Sequence, residues 1–570
     1  MSANASQRIS RREVLAGGAA LAATTLLPTP SSAAAKYRRW NISDPNCPAR
    51  VIDSYKKAIK AMLSLPPTDA RNWYRYTLIH TIDCPHGNWW FLPWHRGYIG
   101  WFEQICRDLS GDPEFALPYW DWTAEPRIPK VMFEDVLDPN NNAFIASAAE
   151  FKKQFQDAVA KSNYWSMTKD DDGNPTPSPQ YIQMLTRSIR FPEDLWFDII
   201  DSPAGALFFD RGHARGLTAT QPDLMIPNKP PEKQGVLKAV SLSTILDALG
   251  PRDFLSFGSP KALNHSSASG FAILENQPHN LVHNCVGGAY NGVGGFMQAF
   301  MSPTDPIFFL HHANMDRLWD VWTRKQAAKG LPILPDGYPK AAGDAVPDTS
   351  DYARWAKEQF VFFVDQKGNP FFDQKGNPTN QATAGEYAAI GAFDYDYSPG
   401  SGEEVVPVTP ATAVAAIEVQ PLRASLSTRQ VGNARVAEGS VSVPLQVIQQ
   451  QAAPQKPTLA ATITVDMPAT HGHDDLDVFI KGPDGNSIFV ATISMFGHHI
   501  MQQPVTVQVP LSAAIADLQR TAKFTSSPTL NILVVPSEAR VGTTTMNHAG
   551  MTVVAPARAN EITAISLHQL

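Results

Sequence analysis

The spacing of apolar residues changes character near residue 393, and few folds accommodate both patterns. Before that point the regular stretches repeat at helical intervals: VIDSYKKAIKAML and ARNWYRYTLIH between Ala49 and His80, WHRGYIGWFEQICRDL from Trp94 to Leu109, then ENQPHNLVHNCV and DPIFFLHHANMDRLWDVWTRKQ. A segment rich in Pro, Ser, Gly and Thr follows, FDYDYSPGSGEEVVPVTPATA. Beyond it the chain alternates as short strands: SVSVPLQVI, TLAATITVDM, DLDVFIKG, SIFVATISMF, QPVTVQVPL and LNILVVPS. A helical period and a strand period bury their apolar faces differently, so the pattern predicts a mainly α domain over 36–397. A linker over 398–412 and an all-β sandwich over 413–570 complete it. Forty-seven prolines point to long ordered loops around the helical centre, and no internal repeats are detected.

At 570 residues the chain is long enough for two or three domains, and its 43% apolar and 18% charged residues are those of a globular protein. A net charge of −7 and a pI near 6.1 argue against nucleic acid as a partner. The first residues carry processing information. Arg11-Arg12 precede a short apolar run that ends at Ala33-Ala34-Ala35, an A-x-A cleavage pattern. Residues 1–35 therefore read as a twin-arginine export signal, and the mature protein as exported to the periplasm or beyond. The apolar run is shorter than the ~20 residues of a membrane span, and no other segment is long enough. Of four cysteines, Cys84 lies among histidines; Cys47, Cys106 and Cys285 remain, and a Cys47–Cys106 pair is one arrangement the count allows.

The stretch HTIDCPHGNWWFLPWHRGYIGWFE concentrates three histidines, His80, His86 and His95, in an apolar run. A buried imidazole needs a partner for each ring nitrogen, and three together point to a shared metal ion. A second cluster follows. His279 and His283, spaced i, i+4, share one helix face, a metal-ligand geometry. Further on lie His311, His312 and Asp316; adjacent helical residues diverge by about 100°, so His311 and His312 do not reach the same ion.

At these residues the sequence resembles the type-3 copper family of tyrosinases, catechol oxidases and hemocyanins. The family's first motif matches His86, Phe91, Trp94-His95-Arg96 and Glu103; its second matches Asp305, Pro306, Phe308, His312 and Asp316. The resemblance implies an antiparallel four-helix bundle housing two copper ions, with dioxygen as co-substrate. Copper A would be held by His80, His86 and His95, and copper B by His279, His283 and His312. His311 and Asp316 would act from behind these ligands. Relatives with the Cys84-x-His86 arrangement form a thioether between the two side chains. Glu275 matches the family's water-holding glutamate, and Asn280 the asparagine that helps activate that water. The residue gating access would be Ala299, with Phe300 able to take the same space. A C-terminal domain in relatives serves as a lid, and SMFGHH offers Phe496 as the plug, with Met495 second. The implied activity is ortho-hydroxylation of monophenols and oxidation of o-diphenols, latent until the lid is displaced. The alternatives are a diphenol-only catechol oxidase and a hemocyanin-like oxygen carrier. Small phenols are the expected partners; a homo-oligomer is compatible with the sequence.

Overall fold

The computed structural model describes residues 35–170, 172–196, 212–291, 294–337, 347, 349–373, 376–408, 420–431, 434–451, 456–466, 475–482, 485–494, 496, 504–521, 524, 526–537 and 560–570. The expected export signal over 1–35 lies outside them but for Ala35, as does Met495.

Five helices organise the first domain. Helix α1 (Ala49–Ser64) buries Val51, Tyr55, Ala58, Ile59 and Met62, one helical stripe, against α3 (Phe91–Ser110). Helix α2 (Trp73–Asp83) starts at Asn72, whose side chain accepts from the Tyr74 and Arg75 amides. Helix α4 (Asn280–Gly287) is entered through a π turn, Glu275–His279, that contains Pro278. Proline cannot supply the amide an α turn needs there, and the wider turn absorbs the defect. Helix α5 (Ile307–Ala328) lies against α3. Strand β1 (Tyr37–Arg39) pairs in parallel with a strand at Tyr395–Tyr397, tying the two ends of the domain together. Their side chains converge on the buried Asp316 of α5, which accepts from Arg96 Nε at 2.6 Å and from the hydroxyls of Tyr395 and Tyr397 at 2.5 and 2.6 Å. Burial opposes ionisation of Asp316, yet Arg96 and Arg39 hold its carboxyl below the usual range. This knot fixes the register of α5 against α3, and with it the height of His312 beside His95.

The second domain is two five-stranded sheets around one apolar core. With β2 (Gly270–Phe271), β3 (Tyr395–Tyr397), β4 (Leu422–Arg423), β5 (Ser425–Val431), β6 (Ala434–Ser442), β7 (Leu459–Asp466), β8 (Leu476–Lys481), β9 (Ser487–Ile493), β10 (Val505–Pro510), β11 (Thr529–Pro536) and β12 (Glu561–Gln569), the orders are β9-β8-β11-β6-β5 and β2-β10-β7-β12-β4.

Two expectations need correction. The C-terminal domain is not all-β, because helices α6 (Leu445–Gln450) and α7 (Ser512–Thr521) connect its strands. Internal repetition exists: DQKGNP occurs twice, at 365–370 and 373–378. The described residues of the two copies are held alike, with Asp365 or Asp373 accepting from the Asn369 or Asn377 amide and Gly368 or Gly376 at a positive φ of 82° or 79°. The cysteine pairing that the sequence leaves open is also answered: no disulfide joins any of the four, Cys47 and Cys106 included. The start of the expected linker is also docked, since Arg317 Nη2 donates to the Ser401 carbonyl and Arg324 bridges to Glu403.

Candidate metal centre

His80 sits in the last turn of α2, His86 on the loop that follows, and His95 in the second turn of α3. Their ring centroids form a near-equilateral triangle with sides of 5.6, 5.7 and 5.6 Å. His279, His283 and His312 form a second triangle, with sides of 4.6, 5.0 and 5.5 Å. The triangles face each other: His95 stacks on His312 at 4.3 Å, and His86 lies 5.6 Å from His279. Residues separated by some two hundred positions in sequence thus meet in one buried chamber.

The hydrogen bonds orient most of these rings. Nδ1 of His80, His95 and His283 donates to the carbonyls of Phe300, Phe91 and Met297 at 2.7, 2.8 and 2.7 Å. Nδ1 of His279 donates to Asn280 Oδ1 at 2.7 Å. Each of these rings therefore keeps its lone pair on Nε2. Nε2 of His80, His86, His95 and His279 is buried without a partner, and Nε2 of His283 meets only Nε2 of His312, 3.2 Å away. A buried polar atom left unpaired costs about 1–3 kcal/mol, and here the cost falls repeatedly on one spot. Burial drives the His95 and His283 imidazoles down to about 3 and the other four well below their ordinary value. All six rings are neutral, the state a metal ligand needs. The donor set, three imidazole nitrogens on each side, fits a pair of copper ions.

His311 lies within the second cluster, its ring 5.4 Å from His279 and 4.9 Å from His283. Trp122 Nε1 donates to His311 Nδ1 at 3.0 Å. An indole nitrogen only donates, so His311 carries its own proton on Nε2 and has no lone pair left for a metal. Of the two neighbours, His312 is the ring with a free nitrogen to give.

Glu275 is 1% exposed; its Oε1 accepts from the Gly87 amide and its Oε2 from the Ser259 hydroxyl, both at 2.7 Å. Burial pushes this carboxyl up to about 8; two metal cations nearby would pull it down again. Asn280, expected to engage water, spends its carbonyl oxygen on His279 and leaves Nδ2 unpartnered. Cys84 Sγ is 3.5 Å from His86 Nδ1, and burial raises its thiol to about 12. Ala299 is buried at 9% exposure, while the ring beside the first cluster belongs to Phe300, 6.5 Å from His80 and 6.2 Å from His86. Phe496 reaches in from the C-terminal domain. It stacks on His283 at 4.4 Å and 21° and stands 5.7 Å from His86 and 5.8 Å from His279.

Several supporting residues escaped sequence reasoning. Asn284, one residue after His283, donates to Ser494 Oγ at 2.7 Å, and the same oxygen accepts from the Phe496 amide. Behind the first cluster, His265 bridges Asp83 and Glu358, and Asp83 also accepts from Trp94 Nε1 at 2.8 Å. Nothing in the spacing of these residues marks them, because each contact joins distant segments. No helix among the described residues is long and apolar enough to cross a membrane.

Residues 59–325 match the family model described as the common central domain of tyrosinase. The chain is 26% identical over 347 residues to a chloroplastic polyphenol oxidase of Spinacia oleracea, which covers 56% of this chain and 42% of the relative. It is 27% identical over 311 residues to (+)-larreatricin hydroxylase of Larrea tridentata, covering 51% and 41%. A tyrosinase of Hahella sp. (strain CCB-MM4) is 26% identical over 262 residues, covering 44% and 40%. The chain thus spans less than half the length of these curated relatives. Among solved structures, recombinantly expressed latent aurone synthase (a polyphenol oxidase) superposes with a TM-score of 0.54 at 17% identity, covering 95% of this chain and 91% of that one. Latent apple tyrosinase gives 0.50 at 17% identity, covering 95% and 98%. These two likenesses extend over both domains and concern the fold.

Proposed function

We propose that the chain is a type-3 copper protein, as the match of residues 59–325 to the tyrosinase central domain supports, and that it is a tyrosinase, hydroxylating monophenols and oxidising o-diphenols to o-quinones. The cofactor is a dinuclear copper centre. In our reading His80, His86 and His95 hold copper A, His279, His283 and His312 hold copper B, and the helices carrying them form the family's four-helix bundle. The observation that carries this is the pair of facing triangles of buried neutral imidazoles, four of whose Nε2 atoms find no partner and the other two only each other. Bound there, the copper pair supplies dioxygen binding and two-electron redox chemistry.

The chain's own residues do the rest. Carbonyls of Phe300, Phe91 and Met297 and the Asn280 amide lock ring orientations, so ligands need no rearrangement during turnover. Apolar walls from Phe91, Phe300 and Phe308 exclude water. A phenol has a pKa near ~10 and must lose its proton to engage the metal. Glu275, held by Gly87 and Ser259, is the group that receives this proton through water, and this favours monophenol hydroxylation over diphenol-only activity. Cys84 Sγ stands at the edge of the His86 ring, supporting the thioether that would fix that ligand.

Phe496 occupies the space a substrate ring would take over copper B, supporting a latent enzyme with the C-terminal domain as its cover. The domain organisation, with a catalytic unit over 36–397 and a cover over 413–570, and export through Arg11-Arg12, belong to the same proposal. The test is oxygen uptake with a monophenol and with a catechol, before and after cleavage of the linker. Uptake with both after cleavage is expected. Uptake with catechols alone would give a diphenol oxidase, and none with either would favour an oxygen carrier. Copper analysis should return two ions per chain.

A further inference from the structure

We infer that the C-terminal domain also positions Glu275 and the His86 loop through strand β2, so that releasing the cover loosens the site it opens. This rests on the proposed roles of Glu275 and of the domain as a removable cover.

Strand β2 belongs by sequence to the helical domain, four residues before Glu275, yet it is the edge strand of a C-terminal sheet. Gly270 and Phe271 pair in parallel with Thr506 and Val507 of β10. The Thr506 amide donates to the Ser269 carbonyl at 3.2 Å, and the Thr506 hydroxyl does so at 3.3 Å. Phe271 is 1% exposed and shares its apolar core with Val507 and Ile463 of the C-terminal domain, not with the helices. A two-residue strand has no stability of its own; it holds its place because a neighbouring domain supplies the ladder and the core.

The other side of β2 grips the site. The Ser269 and Gly270 amides both donate to the Gly87 carbonyl, at 2.8 and 3.0 Å, and the Gly87 amide donates to Glu275 Oε1. Gly87 follows His86 directly. Its φ is 65°, and a Cβ there would come within 2.8 Å of the Phe271 ring, so ring and backbone are in direct contact. The next residue, Asn88, donates through Nδ2 to the carbonyls of Ser267 and His265 at 3.0 and 3.2 Å. On the opposite edge of Glu275, the Ser259 hydroxyl donates to Oε2 and accepts from the Ala272 amide at 3.0 Å. Both hydrogen bonds that fix the Glu275 carboxylate therefore come from groups anchored to residues 269–272. One continuous chain of contacts runs from β10 through β2 to Gly87, Glu275 and the copper A loop.

A plug and a clamp make different demands. A plug alone predicts that uncovering leaves the site unchanged. A clamp predicts that the 86–88 loop and Glu275 gain freedom when β2 leaves the sheet. Two variants of the full-length protein separate them. Phe496→Ala removes the plug and leaves the strand pairing intact. Thr506→Pro removes the amide that bonds Ser269 while the proline stays at the joint with the two-residue edge strand. Amide hydrogen exchange of Gly87, Ser269 and Gly270 is read in both. We expect Thr506→Pro to accelerate all three by about tenfold or more, and Phe496→Ala to leave them at the wild-type rate. Copper loss to a chelator should accelerate in Thr506→Pro only. Should that variant fail to fold, Gly270→Val pushes at the same joint from the other strand, where a Cβ meets the Thr506 hydroxyl and carbonyl. Wild-type exchange at Gly87 in a folded Thr506→Pro or Gly270→Val protein overturns the inference. Exchange is read without turnover, so failure of the clamp is distinct from failure of the phenol-oxidase reading.

Discussion

The two imidazole triangles are alike in shape and unlike in how they are held. In each, two rings are oriented by an Nδ1–H bond to an oxygen: His80 and His95 in the first, His279 and His283 in the second. In each, one ring lacks that bond. His86 has only the Cys84 sulfur beside its Nδ1, and His312 has an Nδ1 with no partner at all. The substitutes differ. His86 is on a loop and has a sulfur within bonding reach; His312 is on a long helix and is sandwiched between His95 at 4.3 Å and Phe308 at 4.1 Å. The second triangle also touches the C-terminal domain directly, through Phe496 on His283 and Asn284 to Ser494. The first is backed by the helical domain's buried His265–Asp83–Trp94 chain. On the proposed reading, the ring without a hydrogen bond is fixed by the Cys84 sulfur where it is on a loop and by packing where it is on a helix.

The largest effects come from removing rings. His283→Ala should leave about one copper per chain and lower phenol oxidation by roughly a thousandfold or more, since the chemistry needs both metals. Retention of two coppers would show that His311 has taken the vacated place, contrary to its bond with Trp122. Cys84→Ser tests the loop ligand. With the sulfur gone, copper A affinity should fall by about 10–100-fold while copper B is spared, as read by chelator titration. Intact-mass measurement of the wild type should show two hydrogens fewer than the sequence requires. Phe308→Leu tests the helix ligand and should cost less. The aromatic contact is worth about 1 kcal/mol, so copper B should weaken only several-fold, and the fold should hold. Equal losses in Cys84→Ser and Phe308→Leu would erase the proposed distinction.

How far the sequence reveals this centre depends on the range of each contact. His279 and His283 are four residues apart on one helix, so their pairing is visible locally. His312 and Asp316 stand in a motif that announces itself, and the change of period near residue 393 separates helices from sheets. The resemblance's choice of His312 over His311 agrees with the proton assignment that Trp122 imposes, but the indole itself sits in an irregular aromatic stretch that offers no signal. Strand β2 is invisible for a clearer reason: Gly270-Phe271 is too short to show a period, and its partner strand lies in the other domain. The proposed plug is intermediate. Phe496 is an ordinary β-sheet residue by pattern, and only the stacking on His283 distinguishes it from core. The doubled DQKGNP stands in plain letters but signals no repeat fold, because copies eight residues apart fall well below the periods that build one.

The smallest effect on activity, and the one specific to the first triangle, concerns pH. His265 is 2% exposed, and its two ring nitrogens face Asp83 at 2.9 Å and Glu358 at 2.6 Å. Burial alone would lower its pKa, but the two carboxylates hold it up at about 9. A group held above its unfolded value of about 6.5 contributes its full stabilisation below that pH and loses it as pH climbs towards 9. The amount at stake is on the order of 3 kcal/mol. Other buried groups act in the same range: Glu275, raised to about 8, also makes the fold lose stability with rising pH, whereas Lys325, lowered to about 7, makes it gain. The difference between wild type and His265→Gln isolates the histidine. Thermal unfolding followed from pH 6 to pH 9.5 should show the two proteins far apart at the acid end and converging at the alkaline end. Because Asp83 also holds Trp94, next to His95, the variant at pH 6.5 should release copper A faster than wild type, with copper B unaffected. A stability gap that stays constant across the range would mean that His265 serves by shape, and that the first triangle is backed by packing just as the second is.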